Sequence, residues 1–166
     1  MKKVIKVRLD PKSIADAITE LQMYKEDLER RVRLLVETLT DRGAEIARAK
    51  VVEMDAVYSG ELLGSINSYL FSFGGNPVGF IRVNAEYGMF VEFGTGIVGE
   101  RSTHHPAQGA FDWEYDVHEH GDAGWWYPGD DGKAHWTKGQ PSRPFMFETA
   151  QQLEREFPKI VKEVFG

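Results

Sequence analysis

The side chains best suited to chemistry crowd into one stretch of this sequence. All five histidines (His104, His105, His118, His120 and His135) lie between positions 95 and 143, with Asp112, Asp116 and Asp122 among them. Zinc takes such imidazole nitrogens and carboxylate oxygens, three or four in tetrahedral array. If the chain is extended at His118-Glu119-His120, alternation places both imidazoles on one face. The spacing is not that of a metalloprotease, however. H-E-x-x-H sets its histidines four apart on a helix, and here the second follows by two. A metal-binding module or metal-dependent enzyme using the five histidines is therefore one reading of the stretch. Polar side chains of a surface loop or a subunit contact are the other.

Gly94-Thr95-Gly96-Ile97-Val98-Gly99 matches G-x-G-x-x-G. In a dinucleotide site those glycines turn a strand into a helix whose N-terminus holds pyrophosphate. The continuation, Glu100-Arg101-Ser102-Thr103-His104-His105-Pro106, is a poor helix, and no second strand–helix unit follows. A helix C-cap and a flexible turn are expected instead. The absence of cysteine excludes disulfides, thiolate metal sites and cysteine nucleophiles. There is no Gly-x-Ser-x-Gly, and Ser59-Gly60 has no partner that sequence can identify. No catalytic residue and no cofactor is expected, and the chain reads as a non-enzyme.

The same stretch holds all four tryptophans, Trp113, Trp125, Trp126 and Trp136, with Tyr115 and Tyr127. They could form a satellite core under the loop, anchor an interface, or stack on bases or sugars. Asp130-Asp131 beside Trp126, and an excess of acids across the loop, count against nucleic acid. An aperiodic, aromatic-rich loop is a poor self-contained core, so assembly contacts are favoured.

The rest of the chain must position this loop. A length of 166 residues argues for one domain, comprising a core at 1–94 and 144–166 with an extended loop at 95–143. Hydrophobic residues at 42% and charged residues at 28% fit an ordinary soluble protein. A net charge of −6 without an evident basic stripe argues against a general nucleic-acid binder. The N-terminus lacks the apolar run of a secretory signal, and no segment approaches a membrane span.

Residues 4–9 alternate as a strand does, and Asp10-Pro11 ends the run. Ile14, Ile18, Leu21, Leu28, Val32, Leu35, Leu39, Ile46 and Ala49 then form one helical stripe. Lys25 and Arg42-Gly43 interrupt it, predicting a short helix to about Met23 and a long one to about Val52. The bland account of the stripe is packing on the chain's own sheet; a coiled-coil seam would run unbroken for several heptads. Residues 65–73 and 78–83 read as a hairpin around Gly74-Gly75-Asn76-Pro77. Tyr87, Phe90, Val91 and Gly94 have the spacing of a short helix closed by glycine, with a strand as the alternative. Ser142 and Pro144 suit the start of a last helix, which Pro158 should kink or split. The fold class expected is α+β: a small antiparallel or mixed sheet against one long helix, a C-terminal helix, and a long irregular loop rich in aromatics and histidine.

Two segments carry a resemblance. Ala85-Glu86-Tyr87-Gly88-Met89-Phe90-Val91-Glu92-Phe93-Gly94-Thr95-Gly96, and later Arg143-Pro144-Phe145-Met146-Phe147-Glu148-Thr149-Ala150, resemble in order the HK97 gp10-like family of phage neck and tail-completion proteins. The long acidic-basic helix upstream also fits. The resemblance implies a bacteriophage or prophage virion protein of the head-tail connector, found in the virion and in the host cytoplasm during assembly. It implies a homo-oligomeric ring between portal and tail, with other neck, portal-adaptor or tail proteins as partners. No membrane and no sequence-specific nucleic acid is expected, though the genome could make passing contact in the channel. On this reading Glu92, Phe93, Gly94, Thr95 and Gly96, and the loop's Trp113, Trp125, Trp126, Tyr127 and Trp136, lie near subunit contacts.

Overall fold

The Asp10 carboxylate accepts the N–H of Ser13 at 2.9 Å, and Pro11 occupies the first turn, so a helix starts where the sequence punctuates. In the computed structural model, which describes residues 4–57, 60–115, 124–129 and 131–166, this helix, α1, runs from Pro11 to Glu53 without a break. At 1.5 Å per residue it is about 64 Å long. The two predicted interruptions become one helix for separate reasons. Lys25 is exposed and reaches Glu29 at 3.6 Å in solvent. Arg42 turns to the C-terminal helix and grips Glu156 with two nitrogens, at 2.7 and 3.1 Å. Beside it Gly43 is buried, and its missing Cβ makes room for Ile81 and Leu153. The polar interruption is thus a cross-helix ion pair, and the glycine a close approach.

The C-terminal helix, α5 (Phe145–Phe165), lies antiparallel along the second half of α1. Lys50–Glu148, Arg42–Glu156 and the Arg31 guanidinium on the Val164 carbonyl mark successive contacts along the pair. Pro158 does not split α5. It is exposed, and so is Glu154, whose carbonyl loses its donor there and can turn to water.

The hairpin forms as predicted, β1 (Ile66–Phe73) with β2 (Asn76–Val83). Its two-residue turn is Gly74-Gly75, with φ of 59° and 83°, a conformation that only glycine adopts freely in succession. Asn76 and Pro77 belong to β2 rather than to the turn. One face lies on α1, where Gly79 sits against Thr40 and Val36. A short helix, α2 (Glu61–Ser65), leads into β1. The core is Ala44, Ala47 and Val51 of α1, Leu62, Ile66, Ala85, Val91 and Phe145. The architecture is α+β, and residues 85–94 contain the predicted short helix, α3 (Gly88–Phe93), rather than a strand.

Three further expectations fail. Residues 4–9 form no strand, because among the described residues no neighbouring strand lies beside them. Ala49, counted in the stripe, is exposed, and so are Ile14, Ile18, Leu21 and Leu28, which do not pack on the sheet. The loop is not irregular throughout: it holds a helix α4 (Gly96–Arg101), a 3-10 turn at Gln108–Ala110, and a second hairpin of β3 (Trp125–Pro128) and β4 (Ala134–Thr137). Trp125-Trp126-Tyr127 and His135-Trp136-Thr137 alternate in burial, but each run is four residues long, too short to show a period in the sequence.

Two outcomes are expected. Gly79→Val drives a branched side chain into Thr40 and should destabilise the fold by about 1–3 kcal/mol, measured by urea denaturation. The bond from Arg42, ahead of that from Gln152, holds the Glu156 carboxyl at about 2, against its ordinary 4.5. A carboxylate depressed in the folded state lends stability above its unfolded pKa and loses it as pH falls through the folded one. The urea midpoint of the wild type should therefore exceed that of Glu156→Gln near neutrality, and the gap should close between pH ~4.5 and ~2.

Candidate functional site

Helix α5 begins without a side-chain cap of its own, its first free N–H groups pointing at a buried carboxylate from another element. Glu92, on the inward face of α3, accepts Met146 N–H on Oε2 at 2.8 Å and Phe147 N–H on Oε1 at 2.9 Å. The predicted cap, Ser142, instead donates its hydroxyl to the Glu92 carbonyl at 2.7 Å. The adjoining Arg143 N–H meets the Val91 carbonyl at 2.8 Å. An anion at a helix N-terminus meets both unpaired donors and the positive end of the helix dipole.

His105 completes the joint. Its Nε2 lies 3.0 Å from Glu92 Oε1, and its Nδ1 accepts Ala107 N–H at 3.0 Å. A ring whose Nδ1 accepts must, when neutral, carry its proton on Nε2, so His105 donates to Glu92. Both residues are buried. Both ring nitrogens of His105 are thus engaged within the chain. Phe93 lies on the imidazole at 4.3 Å and stacks on Trp113 at 5.1 Å. Trp113 donates its indole N–H to the Gly94 carbonyl at 3.1 Å.

The glycine motif has a structural explanation. Gly94 (φ 83°) ends α3, and α4 starts at Gly96 (φ 63°), so an ordered helix stands where a flexible turn was expected. Residues 138–142 return across all three glycines. A Cβ on Gly94 would meet Ser142 N at 2.7 Å, one on Gly96 the Lys138 carbonyl oxygen at 2.5 Å, and one on Gly99 the Gln140 carbonyl oxygen at 2.9 Å. Thr95 and Gln140 exchange both backbone bonds, at 2.9 and 3.0 Å. The spacing that mimics a phosphate loop is the footprint of a returning segment bridged at Thr95 and Gln140.

The remaining histidines go separate ways. His104 Nε2 lies 2.7 Å from the Glu100 carbonyl, and His135 Nε2 lies 2.9 Å from Asp131 Oδ1. The bond from His135 holds the Asp131 carboxyl below its ordinary value. His118 and His120, with Asp116 and Asp122, lie outside the described residues. Among the described residues, no three His, Asp or Glu side chains converge as metal ligands would.

The residues expected at subunit contacts divide in two. Glu92, Phe93, Gly94, Thr95 and Gly96 are interior and bonded within the chain, and Trp113 packs half-buried on Phe93. Trp126 and Trp136 are exposed and face each other across the β3–β4 ladder, edge to face at 5.4 Å. Trp125 and Tyr127 are half-buried on the opposite face.

Sequence reasoning missed the groove beside the joint. An opening of 460 Å³, within the range of ligand pockets, is lined by Ala85, Met89, Phe93, Phe111, Met146 and Phe147, with Glu92 and His105 at its base. No sequence signal pointed to the joint, because Ser142 stands before α5 as an apparent cap of its own.

The chain matches no family model, no curated protein and no solved structure.

Glu92→Ala strands three donors in the interior and should cost about 3–5 kcal/mol, whereas Glu92→Gln keeps one acceptor and should cost about 1–3 kcal/mol. Denaturation measures both. Hydrogen exchange should show first-turn amides of α5, Met146 and Phe147, losing protection before those further along.

Proposed function

We propose that this protein is a structural component of a bacteriophage or prophage particle, at the head-tail connector or neck, acting by ring assembly between portal and tail rather than by catalysis. One observation carries the reading: the two segments behind the resemblance, 85–96 and 143–150, are a single structural unit. Glu92 of the first caps the helix opened by the second, and Val91 and Arg143 tie their backbones. Segments so far apart in sequence that share one joint support a relationship of fold rather than a chance match of short strings.

The assembly part is supported by exposed apolar surface. Trp126 and Trp136 stand in solvent on one hairpin, and Tyr69, Phe71, Phe73 and Phe80 do so on the other. Contiguous exposed aromatics on a soluble chain mark contact surfaces. The partners are copies of this chain and the neighbouring portal-adaptor or tail proteins. Among the described residues no helix is long and apolar enough to cross a membrane.

Native mass spectrometry across a concentration series tests the reading. A closed, metal-free ring is expected, alone or on addition of a portal complex, and the Trp126→Ala, Trp136→Ala double variant should lose it while keeping its circular dichroism spectrum. A species carrying stoichiometric zinc and forming no ring under either condition would replace this reading with the metal-binding one.

A further inference from the structure

Helix α1 is covered over only part of its length. Helix α5 reaches it as far as Arg31, where the guanidinium meets the Val164 carbonyl at 3.1 Å. Beyond that point the apolar stripe continues on the same helical face; Ala17 on it is buried, but the larger side chains around it stay open among the described residues. Ile14, Ile18 and Leu21 are between 43% and 55% exposed. Their spacing of four and three residues is that of a helix that docks into a groove. The next position on the stripe is Lys25, held only by its solvent-exposed contact with Glu29, of a kind that contributes little.

A further apolar surface, open among the described residues, is the groove over Glu92 and His105. It lies at the far end of α1, where Arg143 donates to the Met54 carbonyl at 3.1 Å and Phe145 packs with Val51. Met89 and Phe111 of its lining are each 54% exposed. Glu86 follows the lining residue Ala85, and Asp112 and Glu114 follow Phe111. All three carboxylates are exposed, and none has a cationic partner among the described residues. The groove is apolar with carboxylates beside it; the arm offers three apolar anchors and then a cation.

Leu21 and Glu53 are about 48 Å apart along a continuous helix at 1.5 Å per residue. The arm therefore cannot reach the groove of its own chain. We infer that the N-terminal arm of α1 docks, through Ile14, Ile18 and Leu21, into the groove floored by Glu92 and His105 on a second copy of this chain, with Lys25 facing the carboxylates beside it. The inference rests on the ring-assembly reading only in taking the occupant to be a second copy. Such a contact is head-to-tail: each copy gives an arm and receives one, and the series closes as a ring or runs on as a filament. The footprint of one such arm falls well short of the ~800 Å² per partner of a standard interface. A single contact is therefore weak, and only copies that both give and receive hold together.

The chain has no cysteine, which makes the test direct. Leu21→Cys protein is mixed with Met89→Cys protein at high concentration and oxidised. A mixture of Glu163→Cys with Met89→Cys, its first cysteine exposed on α5, serves as the control. A disulfide heterodimer at least about tenfold above the control, as expected when docking raises effective concentration, and abolished by adding Ile18→Asp to the arm, is the result expected. Cross-linking of Leu21→Cys chiefly to itself, or a yield no higher than the control, would overturn it. Closed rings with no such cross-link would refute this docking and leave the connector reading standing. Cross-linked copies of a Leu21→Cys, Met89→Cys double variant that run into open filaments would support the docking and count against the ring.

Discussion

The buried Glu92 carboxylate is the constraint on which the rest of the structure depends. Burying a charge is expensive unless it is met by donors in good geometry. Here two backbone N–H groups of α5 and the His105 imidazole meet it. In return the carboxylate gives α5 the cap that its own sequence does not provide. It fixes where the C-terminal helix begins, and with it the register of α5 along α1. The ion pairs Lys50–Glu148 and Arg42–Glu156 then follow as consequences of that register.

The loop is organised by the same joint. His105 anchors one end of its first half, Phe93 and Trp113 stack beside it, and the returning residues 138–142 close over Gly94, Gly96 and Gly99. A stretch that looks aperiodic is thus held at both ends by backbone bonds to the α3–α4 segment. The hairpin it carries leaves Trp126 and Trp136 in water while Trp113 is tucked inward. Four tryptophans in one stretch therefore do two different jobs, some of them core and some of them surface.

Among the described residues, a helical arm with exposed apolar side chains at one end and an open apolar groove at the other leave hydrophobic free energy unused. The rigidity of α1 keeps the two apart, since a continuous helix cannot fold back on itself without a break. On the proposed reading, these apolar surfaces meet between copies rather than within one. This gives the physical content of the proposed assembly role.

Much of the fold was legible in the sequence because it rests on local rules. Asp10-Pro11 opens a helix, Gly74-Gly75 turns a hairpin, Gly94 ends a short helix, and a 3/4 stripe runs through α1 in its sequence. What sequence could not show is where each local feature finds its partner. Arg42-Gly43 reads as a break until Glu156 and Ile81 are placed beside it. G-x-G-x-x-G reads as a phosphate loop or a flexible turn until residues 138–142 are seen to cross it. His105 reads as a metal ligand until Glu92, thirteen residues earlier, accepts a hydrogen bond from its Nε2. Residues 4–9 alternate as a strand should, yet among the described residues no strand lies alongside to pair with them. Periodicity, caps and turns are short-range and belong to the sequence. A buried charge, a close backbone approach and an uncovered apolar face depend on contacts between residues far apart in the chain, and only the tertiary structure decides them.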